Sequence, residues 1–242
     1  FISAFGLFYG KSPSAPFSYR DFLTRRTHAV VIPYLVWSLF YLLHDAWHYG
    51  VGFPPILSIP GILFFGNAKY QLYFMVILIW FYLLMPLCRI LLRRMTLPLL
   101  IGILAVQIAF DYWSSFDTAF NLYVYGLPEG TLWRALLFYR LNYWVVHYVF
   151  IFLLGGYIAL HWEAFRTWML RRTGQLYAFG ILSLLALLAW YYKLLLVDGY
   201  TPLEGIYTAH QLSPLGIFYT IGASLALFAF FTRLGTENPL GH

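Results

Sequence analysis

The chain has 242 residues, of which 62% are hydrophobic and only 10% are charged, and its formal net charge is +6. This composition leaves too little polar surface to cover a soluble fold of this size, so lipid must solvate the outside and a soluble globule is excluded. The basic residues are not interleaved with loop aromatics, which argues against nucleic acid and indicates anionic lipid headgroups or an anionic cosubstrate.

Six apolar stretches are long enough, or nearly so, to cross about 30 Å of hydrocarbon as helices, and a shorter one opens the chain. The predicted spans are residues 1–9 (partial), 28–44, 70–88, 97–113, 143–160, 176–192 and 215–231. The sequence therefore predicts an all-α fold. The predicted architecture is a polytopic transmembrane helix bundle of six full spans plus one partial N-terminal span, in a single domain over residues 1–242.

The gap at residues 50–66 is rich in proline and glycine. Proline removes a backbone donor and glycine favours turns, so a long helix is excluded there. The pattern predicts a re-entrant or surface-lying segment.

Basic residues concentrate in alternate gaps between the predicted spans. Eleven of the 15 Lys and Arg lie in the gaps at residues 11–26, 89–94 and 166–172 and at Arg233. The positive-inside rule places these gaps in the cytoplasm of a multi-pass protein, which we expect in a bacterial plasma (inner) membrane. The intervening gaps hold four cations, here named the outer cations: Lys69, Arg134, Arg140 and Lys193.

The outer cations depart from the positive-inside pattern, so each needs an explanation. Arg140 precedes His147 by seven residues, which would put both side chains on one helix face about 10 Å apart, with His147 about one turn inside its span. One hypothesis is an extracytoplasmic basic site for an anionic or sugar acceptor. The alternative is that the arginines extend to lipid headgroups or pair with Asp117 and Glu129.

Arg25, Arg26 and His28 lie where a predicted cytoplasmic loop enters a helix. Arginine offers paired donors to phosphate, so this cluster can bind the phosphates of a coenzyme. It is equally compatible with an ordinary basic cytoplasmic loop.

His44 and His48 have the spacing of two metal ligands on one helix face, but two ligands do not make a site. The other histidines, His242 among them, are scattered along the chain. No metal site is predicted.

Three blocks of sequence resemble one known family. Phe22-Leu-Thr-Arg25-Arg26, followed by Pro33-Tyr34-Leu-Val-Trp37-Ser38, is similar to the Phe-x-x-basic-Arg and Pro-Tyr-x-x-Trp-Ser pattern of the acyltransferase type 3 family, which are integral-membrane O-acyltransferases. Residues 66–87 resemble the family's second block, and residues 150–159, with Gly155-Gly156, resemble its Phe-Leu-Leu-Gly-Gly-Tyr span.

The resemblance implies transfer of an acyl group, often acetyl, from cytoplasmic acyl-CoA to a hydroxyl of an extracytoplasmic glycan or related acceptor. It implies no permanently bound cofactor, with acetyl-CoA or another acyl-CoA as cosubstrate. Membrane lipid and a glycan or lipid-linked sugar are the expected partners. Arg26, with Arg25 and His28, would contact the coenzyme, and Asn67 and Gln71 would line the pocket.

The chain departs from the family pattern at two positions and at its ends. Ala29 stands where many members have a second arginine, and Gln71 stands where many have histidine. The family's first span carries an arginine and a histidine, so the catalytic histidine is expected before Phe1. We therefore expect a fragment that lacks the first span and the last, which would follow Arg233, and that is inactive alone.

The main alternative is a non-enzymatic membrane transporter or flippase of lipid-linked sugars. Transporters of that kind usually show inverted repeats with broken helices at the bilayer midplane. No matching pair of Gly/Pro-interrupted spans occurs in the two halves of this sequence, which favours the enzyme.

Overall fold

The computed structural model describes residues 1–12 and 14–237. Every regular element within these ranges is helical, which confirms the predicted all-α fold. In chain order the α-helices are α1 (Ile2–Phe8), α2 (Tyr19–Arg26), α3 (Ile32–His48), α4 (Ile59–Phe65), α5 (Tyr73–Leu83), α6 (Met85–Arg93), α7 (Leu97–Phe116), α8 (Thr118–Gly126), α9 (Leu132–Phe138), α10 (Arg140–Tyr143), α11 (Val149–Leu160), α12 (Trp162–Arg171), α13 (Thr173–Leu196), α14 (Pro202–Thr208) and α15 (Pro214–Glu237).

The chain divides into two compact units, each built from separate stretches of sequence. The first comprises Phe1–Gly10, Leu97–Asn121 and the described residues from Phe150 onward. The second comprises Lys11–Thr96 and Leu122–Val149. The prediction of one domain over the whole chain stays a prediction.

Helices α2 and α3 form one helical segment, Tyr19–His48, of 30 residues. The Ser18 hydroxyl caps its start by accepting the Asp21 N–H at 3.4 Å, and a π-helical turn, Thr27–Val31, joins the two helices. Arg25 and Arg26, which were predicted to lie where a loop enters a helix, therefore lie inside the helical segment, which begins before the predicted span at residues 28–44. Helix formation depends on backbone hydrogen bonds and capping as well as apolarity, so the helix begins before the apolar run.

The segment between α3 and α5 contains only short helices, as its proline and glycine content predicts. The helical stretches Ile56–Phe65 and Tyr70–Leu83 are bent by 59° relative to each other. Gly66 makes the turn with a φ of 70°, and a Cβ at this position would lie 2.5 Å from the Tyr73 Cα. A left-handed conformation in backbone contact admits only glycine, so Gly66 fixes where α5 begins.

Helical backbone is interrupted between Arg140 and His147. Helix α10 ends at Tyr143, the next residue, Trp144, is extended with a ψ of 105°, and a 3₁₀ turn, Val145–Tyr148, precedes α11. The prediction that Arg140 and His147 share one face of a continuous helix is wrong. The sequence has no proline or glycine between these residues to signal a break, but an extended residue resets the helical register.

In the first unit, two long apolar helices pack closely against each other. Helices α13 and α15 approach at Gly180 and Gly222, and a Cβ on Gly222 would lie 2.6 Å from the Ser183 Oγ and 3.2 Å from the Gly180 Cα. Small residues let membrane helices approach closely enough for extensive van der Waals contact. These glycines therefore hold two long apolar helices together.

Within residues 1–12 and 14–237, four helical segments are long and apolar enough to cross a membrane, and the number rises to six if each of two bent pairs forms one span. The bent pairs are Ile56–Phe65 with Tyr70–Leu83, and Val145–Leu160 with Trp162–Arg171, which bend by 59° and 96°. The prediction of a polytopic bundle is confirmed, and its six full spans equal the upper count.

Candidate functional site

Arg26 is held against aromatic rings at the arginine-rich end of the second unit. Its guanidinium carbon lies 5.5 Å from the centroids of both Phe22 and Tyr82, and the Tyr82 hydroxyl is within hydrogen-bonding range of the guanidinium. The Arg26 Nε is buried and has no hydrogen-bond partner among the described residues. Aromatic contact orients the cation while leaving donor capacity for a ligand.

Arg25 and His28, the other two predicted coenzyme contacts, are exposed. Arg25 lies in the last turn of α2 and His28 in the π-helical turn that follows. The structure thus gives the three residues different environments, with Arg26 alone partly buried.

The first residue of α2 and the segment before it contact the end of α5 and α6. The Tyr19 hydroxyl donates to the Leu83 carbonyl at 2.8 Å, and an Arg89 amino group donates to the Ala15 carbonyl at 2.7 Å. The Arg89 guanidinium also lies 4.5 Å from the Phe17 ring centroid. These contacts fix the position from which α2 presents Arg26.

Asn67, a predicted pocket residue, forms a hydrogen bond to a part of the second unit that is distant in sequence. The Asn142 amide donates to the Asn67 Oδ1 at 3.2 Å and to the Phe65 carbonyl at 3.3 Å. Gln71 is exposed in the 3₁₀ turn that precedes α5. The structure therefore links Asn67, but not Gln71, to the segment that contains Arg140.

The outer cations Lys69, Lys193 and Arg134 form ion pairs. Lys69 lies 2.8 Å from Asp45, Lys193 lies 2.7 Å from Asp198, and Arg134 lies 3.1 Å from Glu129. The alternative prediction, that outer arginines pair with nearby carboxylates, is confirmed for Arg134 and Glu129. Asp117 instead accepts the Phe120 N–H at 2.7 Å, close to the start of α8.

Arg140 and His147 are both buried, at 6% and 0% exposure. An Arg140 amino group donates to the Leu137 carbonyl at 2.9 Å. Burial lowers the pKa of the Arg140 guanidinium, but arginine keeps its charge in proteins. Arg140 is therefore a buried charge, which the surrounding structure must compensate.

An open cleft of about 720 Å³ lies in the second unit, in segments that the charge pattern predicts to be extracytoplasmic. One stretch of its lining runs between Leu57 and Asn67 and another between Glu129 and Tyr139. Of the predicted substrate-binding residues, Asn67 lines this cleft, whereas Gln71, Arg140 and His147 are not among its lining residues. Its volume falls within the range of small-molecule sites.

Arg26 and the Lys69–Asp45 pair lie towards opposite ends of the segment Tyr19–His48. At about 1.5 Å per residue, Arg26 and Asp45 are separated by about 28 Å along the helix, close to the thickness of the hydrocarbon core. One long helix thus connects the end that holds Arg26 with the end near Asn67.

Helix α7 has a buried polar face that was not predicted from the sequence. Gln107, Asp111 and Ser114 are at most 4% exposed, and the Gln107 amide lies 3.4 Å from the Asp111 carboxylate. Gln107 also accepts the Phe150 N–H at 2.8 Å near the start of α11. The spacing of these three residues places them on one helix face, a signal that was available in the sequence.

His44 and His48 stack with ring centroids 5.3 Å apart, and the His44 Nδ1 lies 3.1 Å from the Asp45 carboxylate. His242 lies outside the described residues.

No curated protein and no solved structure matches the chain. The family model described as an acyltransferase domain, of the type 3 acyltransferases, matches residues 1–237, nearly the whole chain. Together with the apolar helices, this match shows that the chain belongs to the acyltransferase type 3 family and is, in general terms, a membrane acyltransferase.

Proposed function

We propose that the protein transfers an acyl group, acetyl in the simplest case, from cytoplasmic acyl-CoA to a hydroxyl of an extracytoplasmic glycan. In this reaction the hydroxyl oxygen attacks the thioester carbonyl carbon. The C–S bond breaks as the C–O ester bond forms, and the hydroxyl proton ends on the sulfur of free CoA. We place the protein in a bacterial inner membrane, with its arginine-rich loops in the cytoplasm.

The environment of Arg26 is the observation that supports the donor side of this proposal. Its guanidinium is oriented by two aromatic rings, and its buried Nε has no partner among the described residues. A phosphate of CoA would supply charged acceptors for such a donor set. Arg25 and His28, exposed nearby, would add positive charge or hydrogen-bond donors to the same coenzyme.

On the acceptor side, the proposal is supported by the cleft next to Asn67. The cleft combines aromatic walls with amide, hydroxyl and charged side chains, which is the mixture that a polyhydroxylated ligand requires. Arg140 and His147 follow the cleft segment along the chain and are proposed to contribute to the acceptor site. Membership in an acyltransferase family favours this reaction over the transporter alternative.

The Arg26→Ala variant tests the donor site. In the full-length protein reconstituted in nanodiscs, we expect acetyl-CoA to bind about tenfold more weakly, because a charge-assisted contact to phosphate is lost. Arg26→Lys should bind with intermediate affinity, since lysine keeps the charge but not the paired donors. The affinities can be measured by isothermal titration calorimetry.

Arg20→Ala is the matched control for this variant. Arg20 lies on the same helix α2 and is exposed, so its loss should leave the acetyl-CoA affinity within about twofold of the wild-type value. Wild-type affinity in Arg26→Ala would refute the assigned donor site.

A further inference from the structure

The cleft is lined by one negative and one positive side chain, and their charges cancel. This cancellation affects whether the cleft binds neutral or charged sugars. Glu129 and Arg134 are the only charged side chains among its described lining residues, and they lie 3.1 Å apart. A cleft that selected an anionic ligand would offer uncompensated positive charge. This cleft instead has a lining without net charge.

The Arg134 guanidinium also donates hydrogen bonds to backbone carbonyls. One amino group donates to the Leu127 carbonyl at 2.7 Å and, more weakly, to the Tyr125 carbonyl at 3.4 Å. The backbone N–H of Arg134 donates to the Thr131 hydroxyl, which caps α9. The guanidinium therefore holds the loop before α9 in place, and both of its amino groups are already engaged, one by backbone carbonyls and the other by Glu129.

Glu129 is placed to meet a ligand. Its side chain is 87% exposed, whereas that of Arg134 is 21% exposed. A carboxylate has lone pairs for about four hydrogen bonds, so Glu129 can accept a sugar hydroxyl while it remains paired with Arg134. An anionic sugar would instead meet the negative charge of Glu129 first.

The remaining lining matches a neutral sugar. Phe65, Phe138 and Tyr139 provide aromatic surface for the C–H faces of a sugar ring, and Asn67 and Thr131 provide groups that hydrogen-bond to hydroxyls. A lipid tail would need no such polar groups.

From these contacts we propose that the cleft binds an uncharged sugar and that Glu129 determines this choice by neutralising Arg134. The inference rests on the proposed function, since it names the class of acceptor. It predicts that removing the charge of Glu129 converts the cleft into one that also accepts acidic sugars.

The test compares two glycosides that differ in one group, methyl β-glucopyranoside and methyl β-glucuronopyranoside. The full-length wild-type protein should bind the neutral glycoside more tightly. Glu129→Gln should raise the affinity for the glucuronide about tenfold at low salt, because the freed guanidinium then pairs with its carboxylate. This gain should shrink as salt increases, and adding Arg134→Gln should abolish it.

Asp198→Asn serves as the matched control. It removes the carboxylate of another ion pair between predicted extracytoplasmic residues, but Asp198 does not line the cleft, so the ratio of the two affinities should stay at the wild-type value. The proposal is overturned if Glu129→Gln leaves that ratio unchanged, if the wild type prefers the glucuronide, or if neither glycoside binds. Because the measurement is glycoside binding, a failure of acyl-CoA binding would refute the proposed function separately.

Discussion

Replacing Gly66 by valine is expected to lower the free energy of unfolding by about 4 kcal/mol, through two effects at one position. The φ of 70° is a conformation that β-branched residues rarely adopt. In addition, the new Cβ would lie 2.5 Å from the Tyr73 Cα, a backbone atom that cannot move without displacing α5. Unfolding by SDS titration of the purified, reconstituted protein measures the change.

Gly52→Val separates these two effects. Gly52 has a φ of 76°, but no atom lies within 4 Å of a Cβ built there, so only the conformational cost applies. We expect that cost to be about 1–2 kcal/mol. Equal losses in the two variants would show that contact with Tyr73 does not determine the requirement for glycine at position 66.

Arg140→Gln is expected to destabilise the second unit by about 3 kcal/mol and to weaken acceptor binding. The variant loses a buried guanidinium that is 6% exposed and donates to the Leu137 carbonyl at 2.9 Å. Removing a charged donor from a buried acceptor carries the desolvation cost of the group left behind. Stability is measured by SDS titration, and acceptor affinity by glycan binding to the folded fraction.

Arg20→Gln is the comparison for stability. Arg20 lies in the same unit and is exposed, so its substitution should change the free energy of unfolding by no more than about 0.5 kcal/mol. Unchanged acceptor affinity in folded Arg140→Gln would remove Arg140 from the acceptor site. A stability loss no larger than that of Arg20→Gln would contradict the structural role of the buried charge of Arg140.

The long spans were predictable because hydrophobicity is a local property of the sequence. The predicted spans at residues 97–113, 176–192 and 215–231 lie within the helices Leu97–Phe116, Thr173–Leu196 and Pro214–Glu237. A run of apolar residues must satisfy its own backbone in lipid, and an α-helix does so without any partner. Tertiary contacts were not needed for these assignments.

Breaks within apolar stretches were not predictable in the same way. The extended Trp144 separates α10 from the following 3₁₀ turn although no proline or glycine lies between residues 139 and 148. The π-helical turn at Thr27–Val31 likewise lies within a helix whose sequence shows no interruption. Such breaks depend on packing against other segments. The hydrophobic periodicity of one segment carries no information about that packing.

The candidate site was predictable as a set of residue types but not as a set of contacts. The Glu129–Arg134 pair joins residues five positions apart and could be considered from the sequence. The Lys69–Asp45 pair and the Asn142–Asn67 hydrogen bond join residues that are distant in sequence, so only the fold brings them together. The assigned roles of Arg26, Asn67, Gln71 and His147 stay predictions.

The buried carboxylate of Asp111 is a feature that counting charges in the gaps between spans does not reveal. It lies within the predicted span at residues 97–113 and within α7, at 0% exposure. An ionisable group inside a membrane helix is costly unless the protein compensates it. The polar spacing with Gln107 and Ser114 would have identified it as a buried face.

Transfer of radiolabelled acetyl across a sealed membrane tests the central claim most directly. The full-length protein is reconstituted in vesicles, with labelled acetyl-CoA supplied only on the side of the arginine-rich loops and a glycan acceptor sealed on the other side. We predict a labelled acetyl ester on the glycan, formed only when the protein is present and reduced in Arg26→Ala. Donor binding without any labelled glycan, or transfer only when donor and acceptor share one compartment, would contradict the account.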